Sequence, residues 1–395
     1  MIAINETNFP DANFRSWLLA QDYGKDGMLT EEAIKDVTVI DVAEQDISSL
    51  KGIELFTALT ELDCSWAKLT SLNVSGCTAL KKLDCSWGNL TSLNVSGCTA
   101  LTILHCSQNE LTTLDLSGCA TLTELDCSQN ELTTLDLSEC TALTKLNCGD
   151  NGITALDVSG CAALTELNCS WDILTSLNVS GCTALTTIDC CWNELTHLDL
   201  SGCTALTKLN CPCNKLTALN LSGCTALTIF DCSYNELTTL DVSGCTALAE
   251  LYCYSNELTT LDVSNNAELK GLFCFKNRLR TLDVLKHTQL EDLYCFCNSL
   301  TDLDVSGCTA LTELYCHRNQ LKGAAMDRLI ESLPQTGKES GLYVYDGRKP
   351  YEENVCTKAQ VTVARAKGWE VLVTYDIEEE KWEEYDGCDE QPPLS

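Results

Sequence analysis

Leucine stands at 59, 80, 101, 122, 143, 164, 185, 206, 227, 248, 269, 290 and 311, a period of 21 residues without insertion or deletion. Between successive members the same apolar pattern runs twice. It appears as Leu69-x-x-Leu72-x-Val74-x-x-Cys77-x-x-Leu80 and again as Leu80-x-x-Leu83-x-Cys85-x-x-Gly88-x-Leu90. Each L-x-L or L-x-C triplet alternates apolar with polar, which is how a strand with one buried face is written. A register this strict predicts one stacked unit per repeat. Two triplets per unit predict two parallel sheets facing each other, with leucine and cysteine between them.

The cysteines follow the same period. Thirteen fall in one column, from Cys64 through Cys85 and Cys106 to Cys316, and ten in another, from Cys77 to Cys245 and then Cys308, with Asn266 and His287 in the gap. Cysteine that stands where a repeat calls for a small interior residue predicts buried, reduced thiols rather than a disulfide framework. No paired Cys-x-x-Cys clusters suggest zinc. Cys191, Cys213, Cys297, Cys356 and Cys388 lie outside the columns; Cys191 and Cys213 are one repeat apart, near enough in principle for a disulfide or for two separate thiols. An Asn column (109, 130, 151, 193, 214, 235, 256, 277, 298, 319) predicts side chains that bond the backbone of successive bends.

These nested half-repeats resemble the bacterial leucine-rich repeats of 21 residues, sometimes called the IRREKO type, over residues 37–321. The resemblance implies an α/β, mainly β, leucine-rich-repeat solenoid of about 13 turns. It also implies protein or glycan recognition, a secreted or cell-surface location and no intrinsic catalysis.

Outside the period, residues 1–36 read as a helical N-terminal cap, with helical signals at Pro10–Leu19 and Thr30–Lys35. The stretch Asp22-Tyr-Gly-Lys-Asp-Gly-Met-Leu-Thr30 between them resembles an EF-hand loop. Asp22 and Asp26 are then candidate Ca²⁺ ligands, although Gly24 and Ala33 stand where two further donors belong. No other cofactor is expected. Residues 322–376 read as an α/β C-terminal cap, with helices over 324–333 and 358–367 and strands over 342–345 and 370–375. Residues 377–395 read as an acidic, mobile tail to which Trp382 and Tyr385 offer anchors.

A formal net charge of −32 disfavours nucleic acid and anionic membrane surfaces as partners. No apolar run is long enough to span a bilayer, and Met1–Ala20 lacks the pattern of a secretory leader. A monomer is expected.

Column comparison separates scaffold from surface. On the first strand the outward position is always Asp or Asn, as at Asn73, Asp115, Asp157 and Asp304, which reads as structural. On the second strand, Asp63, Asp84 and His105 give way to Tyr252, Phe273, Tyr294 and Tyr315. Two residues on, serine gives way to Tyr254, Phe275, Phe296 and His317. Trp171 and Trp192 stand one position further, near the bend. This aromatic strip is the candidate binding surface. The leading expectation is a non-enzymatic recognition protein that binds a protein partner there; a carbohydrate-binding surface or a purely structural spacer is the alternative. The C-terminal cap folding back over the strip would favour the spacer. An enzyme is disfavoured, because His105, His197, His287 and His317 are dispersed along the repeats with no partner nucleophile.

Overall fold

A computed structural model describes residues 1–337, 340–347, 352–376 and 381–388. It shows a mainly β solenoid of about thirteen turns. The chain divides into two compact units, Met1–Leu195 and Thr196–Ser395.

In the N-terminal unit, helix α1 (Ala12–Ala20) is capped by Asp11. One oxygen of that carboxylate accepts from the Phe14 amide at 2.8 Å and the other from the Ser48 amide and hydroxyl at 2.8 and 2.7 Å, tying the cap to the first turn. Phe9, Phe14 and Leu18 fill the space beneath it. Helix α2 (Glu31–Ile34) opens on Thr30, whose hydroxyl accepts from the Ala33 amide. Three-residue strands then repeat at Val39–Asp41, Glu61–Asp63, Lys82–Asp84 and onward to Thr187–Asp189. They pair in parallel with a register offset of 22 at the first pair and 21 thereafter, Leu83 on Leu104 and Leu104 on Leu125, so equivalent repeat positions stack and every central Leu or Ile is buried.

The C-terminal unit continues the same strand type from Lys208–Asn210 to Glu313–Tyr315. Helix α3 (Ala324–Ser332) follows, then strand β1 (Ser340–Asp346), helix α4 (Lys358–Ala366) with a capping box formed by Thr357 and Gln360, and strand β2 (Trp369–Asp376). β1 pairs in parallel with Glu313–Tyr315 and β2 with β1, so the cap extends the repeat sheet.

Two expectations are corrected. The first-strand side does not form a continuous second sheet. Among the described residues its strands pair at 71–73 with 92–94, 155–157 with 176–178 and 197–199 with 218–220, and a single parallel bridge joins Asp241 to Asp262. In all three strand pairs the later strand carries Asn (Asn94, Asn178, Asn220), and the Asn220 amide donates to the Asp199 carboxylate at 2.9 Å. At Asp115–Asp136, Asp136–Asp157, Asp262–Asp283 and Asp283–Asp304, Asp meets Asp, and like charges directly opposite oppose pairing. The acidic tail, in turn, is not wholly unstructured. Strand β3 (Lys381–Glu384) pairs antiparallel with β2, and Tyr385 stacks on Tyr345 at 4.9 Å while its hydroxyl donates to the Cys356 carbonyl at 3.2 Å. The rest of the tail, 377–380 and 389–395, and the Trp382 side chain lie outside the described residues.

All 28 cysteines stand as thiols, so no disulfide joins Cys191 to Cys213. Both columns are buried, and burial raises the pKa of their thiols, Cys98 to about 11 and Cys77 to about 12. The second column has a role that periodicity alone did not reveal. Thiols at Cys77, Cys98, Cys182, Cys224 and Cys308 donate to the carbonyl 24 residues earlier, Cys98 to Val74 at 3.3 Å and Cys182 to Val158 at 3.1 Å. The two exceptions bond the same carbonyl, Asn266 to Val242 at 3.0 Å and a His287 ring nitrogen to Val263 at 3.0 Å.

The Asn column closes the bends as expected. The Asn235 oxygen accepts from the Leu216 amide at 2.9 Å, while its nitrogen donates to the carbonyls of Cys211, Cys232 and Ser233. The preceding residue is left-handed in each turn, with φ between 52° and 60° at positions such as Trp66, Trp171 and Tyr234. The cap supplies the last rung. Asn354 accepts from the Leu321 amide and donates to Cys316 and Val344.

Candidate functional site

The aromatic residues occupy the outward positions of the C-terminal unit's sheet, and strand register brings them into line. Tyr252 pairs with Phe273, Phe273 with Tyr294, Tyr294 with Tyr315 and Tyr315 with Tyr343 on β1. Their rings follow one another at 4.5, 4.9, 4.1 and 3.7 Å, and the first four are half-buried. Two residues on, Tyr254, Phe275, Phe296 and His317 stack nearly parallel at 4.3, 4.3 and 4.6 Å.

The two columns end differently. Tyr254 and Phe275 are half-buried, but Phe296 is 2% and His317 0% exposed. These two are therefore removed from the expected docking surface. The cap is the cause. The Glu352 carboxylate accepts from the backbone amides of Arg318, Asp346 and Asn354, and the Arg318 guanidinium donates to the buried Asp346 carboxylate, which anchors the cap beside His317. Burial lifts the Glu352 carboxyl to about 7. The covering anticipated from the sequence thus occurs at one end of one column and leaves the other open.

A row of carboxylates runs beside the open column. Two residues before each aromatic stand Glu250, Gly271, Asp292, Glu313, Gly341 and, on β2, Glu370, aligned by the same pairing. The glycines have a steric reason. A Cβ on Gly271 would lie 2.8 Å from the Phe273 ring, and one on Gly341 2.7 Å from that of Tyr343, so both rings lean across the gaps. Tyr252 donates to Glu250 at 2.9 Å. Desolvation and then the Asp292 charge push Glu313 up to about 7; desolvation, with Glu291 and Glu250 nearby, also raises Asp292. Among the described residues no Lys or Arg forms a salt bridge with Glu250, Asp292 or Glu313. Sequence reasoning missed this row, although the Glu-x-Tyr and Asp-x-Tyr spacing was its signal.

Trp171 and Trp192 belong to the N-terminal unit and stand at the left-handed bend, not on the sheet face. They stack at 4.7 Å and are 56% and 51% exposed. Trp66 and Trp87 form a matching pair at 4.4 Å. In the same unit His105 bridges Asp84 (3.6 Å) and Glu124 (3.0 Å), and these carboxylates, Asp84 foremost, raise it to about 9.

The loop carrying Asp22 and Asp26 does not fit a calcium ion. Both residues are exposed, Asp22 lies 3.7 Å from Lys25, and a Cβ at Gly24 would fall 2.0 Å from the Leu18 carbonyl oxygen, so no third side-chain donor can enter there. Among the described residues no three His, Cys, Asp or Glu side chains converge to hold a metal.

Comparison with known proteins places this geometry. The endo-β-N-acetylglucosaminidase EndoS leucine-rich-repeat domain family matches residues 9–130, and a two-copy leucine-rich-repeat family matches 120–160. No curated protein sequence matches. Among solved structures, the functional domain of InlJ from Listeria monocytogenes is 34% identical, covering 88% of this chain and 83% of that one, with a TM-score of 0.65. A leucine-rich-repeat protein of Leptospira interrogans (20% identity, 86% and 97% coverage, TM-score 0.64) and the internalin InlF of Listeria monocytogenes (21%, 83% and 96%, 0.63) share the fold. The chain belongs to the bacterial leucine-rich-repeat proteins. Within them it is similar to InlJ, whose functional domain includes a cysteine ladder, as this chain does. Proteins of this fold are typically scaffolds for protein interaction and generally lack enzymatic activity.

Proposed function

We propose that the protein is a non-enzymatic recognition protein that docks a protein partner on the open aromatic column of its C-terminal unit, formed by Tyr252, Phe273, Tyr294 and Tyr315 with Tyr254 and Phe275 beside it. The observation that carries this reading is a run of half-exposed rings fixed in line on a rigid sheet. Such rings supply large contact area at little entropic cost, the property of interface anchors. A sheet does not require them, since the equivalent positions in the N-terminal unit hold Asp63, Asp84 and Asp126 in the same strand geometry.

The arrangement favours protein over glycan. A sugar stacks on an open ring face, whereas neighbouring rings here cover each other's faces, Tyr252 and Phe273 lying at 4.5 Å and 4° and Tyr254 and Phe275 at 4.3 Å and 9°. The edges are what remain accessible. The test is affinity capture with the intact chain and with a Tyr252→Ala/Phe273→Ala/Tyr294→Ala variant, each checked for folding by circular dichroism. A partner lost by the folded variant supports the reading. A partner held equally by both, or a glycan-array signal that disappears with the variant, refutes it.

A further inference from the structure

The open aromatic column and the acidic row beside it form one surface, and we propose that its occupant is a cationic polypeptide segment carrying arginine or lysine. The inference rests on the docking role given above and names the chemistry of the partner.

Charge is the first argument. Glu250, Asp292, Glu313 and Glu370 lie in one registered row, and no cationic side chain forms a salt bridge with the first three among the described residues. Asp292 and Glu313 are half-buried, and desolvation, helped by Glu291 and Glu250 beside Asp292 and by Asp292 beside Glu313, holds both carboxyls above their ordinary range. A carboxylate partly stripped of water with a like charge beside it gains most from an incoming cation.

The second argument is the rings. An ammonium or guanidinium group placed on the carboxylate row brings its methylene stem over the Tyr and Phe edges and its charge beside their π clouds. Carboxylate and ring stand two residues apart on three strands, as Glu250 and Tyr252, Asp292 and Tyr294, and Glu313 and Tyr315, so one long cationic side chain meets both.

Shape supplies the third. Glu313 and Glu291 also line a depression of about 400 Å³ with Thr309, Thr312, Gln335 and Thr336. It is polar, opens beside Glu313 and has room for a guanidinium group.

The experiment uses the intact chain and fluorescence anisotropy with a labelled peptide alternating arginine and leucine. A twin in which citrulline replaces arginine keeps the shape and removes the charge. The arginine peptide is expected to bind at least about tenfold more tightly than its twin, with affinity falling as salt rises. Asp292→Asn/Glu313→Gln should abolish that preference. Because these substitutions relieve repulsion, the variant should melt no lower than the parent, which keeps the test readable. Glu110→Gln/Glu131→Gln, which removes two exposed carboxylates of the N-terminal unit, should leave the preference intact.

Equal binding of the two peptides overturns the inference, as does a preference that survives in Asp292→Asn/Glu313→Gln or falls equally in Glu110→Gln/Glu131→Gln. Spermine competing as well as the arginine peptide would also overturn it, since charge alone would then suffice. If both peptides bind equally and both are lost in the aromatic triple variant, the docking surface stands and only its cationic preference falls. If neither binds and no captured partner depends on the rings, both readings fall.

Discussion

Asp172 offers the sharpest test of how the bends are held. It occupies the Asn column, and its Oδ1 accepts from the Ile153 amide at 3.0 Å, as the Asn oxygens do elsewhere. Its Oδ2 stands where every Asn places its amide nitrogen, toward backbone carbonyls, and there it is buried without a hydrogen bond. An ionised carboxylate facing carbonyl oxygens is repelled; a protonated one can donate. Burial accordingly raises the Asp172 carboxyl from its ordinary 3.8 to about 7, outweighing the backbone hydrogen bonds that favour the anion. A carboxyl whose folded value lies above its unfolded one stabilises the fold least when ionised. The penalty is absent below about pH 4, grows as pH rises toward 7 and levels above it at about 4 kcal/mol. Asp172→Asn removes it and restores the missing donor. Urea unfolding followed by the fluorescence of the neighbouring Trp171, under reducing conditions at pH 4, 5.5, 7 and 8, should show the variant more stable by about 2–4 kcal/mol at pH 8 and by much less at pH 4. A gain independent of pH, or a loss at pH 8, would refute the reasoning.

Asn235→Ala leaves the buried Leu216 amide without its acceptor and takes one donor each from the Cys211, Cys232 and Ser233 carbonyls, which keep bonds from Asn214, Asn256 and the Cys213 amide; it should cost about 1–3 kcal/mol in chemical denaturation, against a negligible change for Glu236→Ala on the exposed side. Thiol titration with a chromogenic disulfide should detect at most the four half-buried thiols, Cys191, Cys213, Cys297 and Cys388, in the native protein and all 28 once it is unfolded. His105, raised to about 9 by Asp84 and Glu124, contributes stability that is fully present below its ordinary 6.5 and is lost as pH rises through about 9. His105→Gln should therefore lower the melting temperature at pH 6 and leave it unchanged above pH 10.

The repeat was legible in the sequence because a solenoid imposes the same environment every turn. One Leu column, two Cys columns and one Asn column then name their own roles. What stayed hidden depends on relations between columns or on departures from the period. The thiol donors of the second Cys column emerge only when Asn266 and His287 are seen bonding the carbonyl that Cys bonds elsewhere. The broken first-strand pairing depends on side chains that meet at repeat distance, as where the Asn220 amide bonds the Asp199 carboxylate. The aromatic strip was foreseen, but not the loss of Phe296 and His317 from it, since the residues responsible, Asp346 and Glu352, come from the aperiodic cap. The EF-hand resemblance rests on Asp and Gly at a spacing that also builds ordinary turns, and the crowding at Gly24 became visible only in three dimensions.

Asn354 ends the solenoid by imitating it. Because the terminal segment completes the final bend with the same amide that most interior bends use, part of its hold on the last turn is made to backbone groups, which are alike throughout, beside the Arg318–Asp346 contact. The length of the C-terminal unit is thus left open to evolution. Losing or duplicating 21 residues would present the terminal segment with an equivalent mooring, whereas any other increment would offer it none, so a lineage can lengthen or shorten its outward face while the closure stays unchanged.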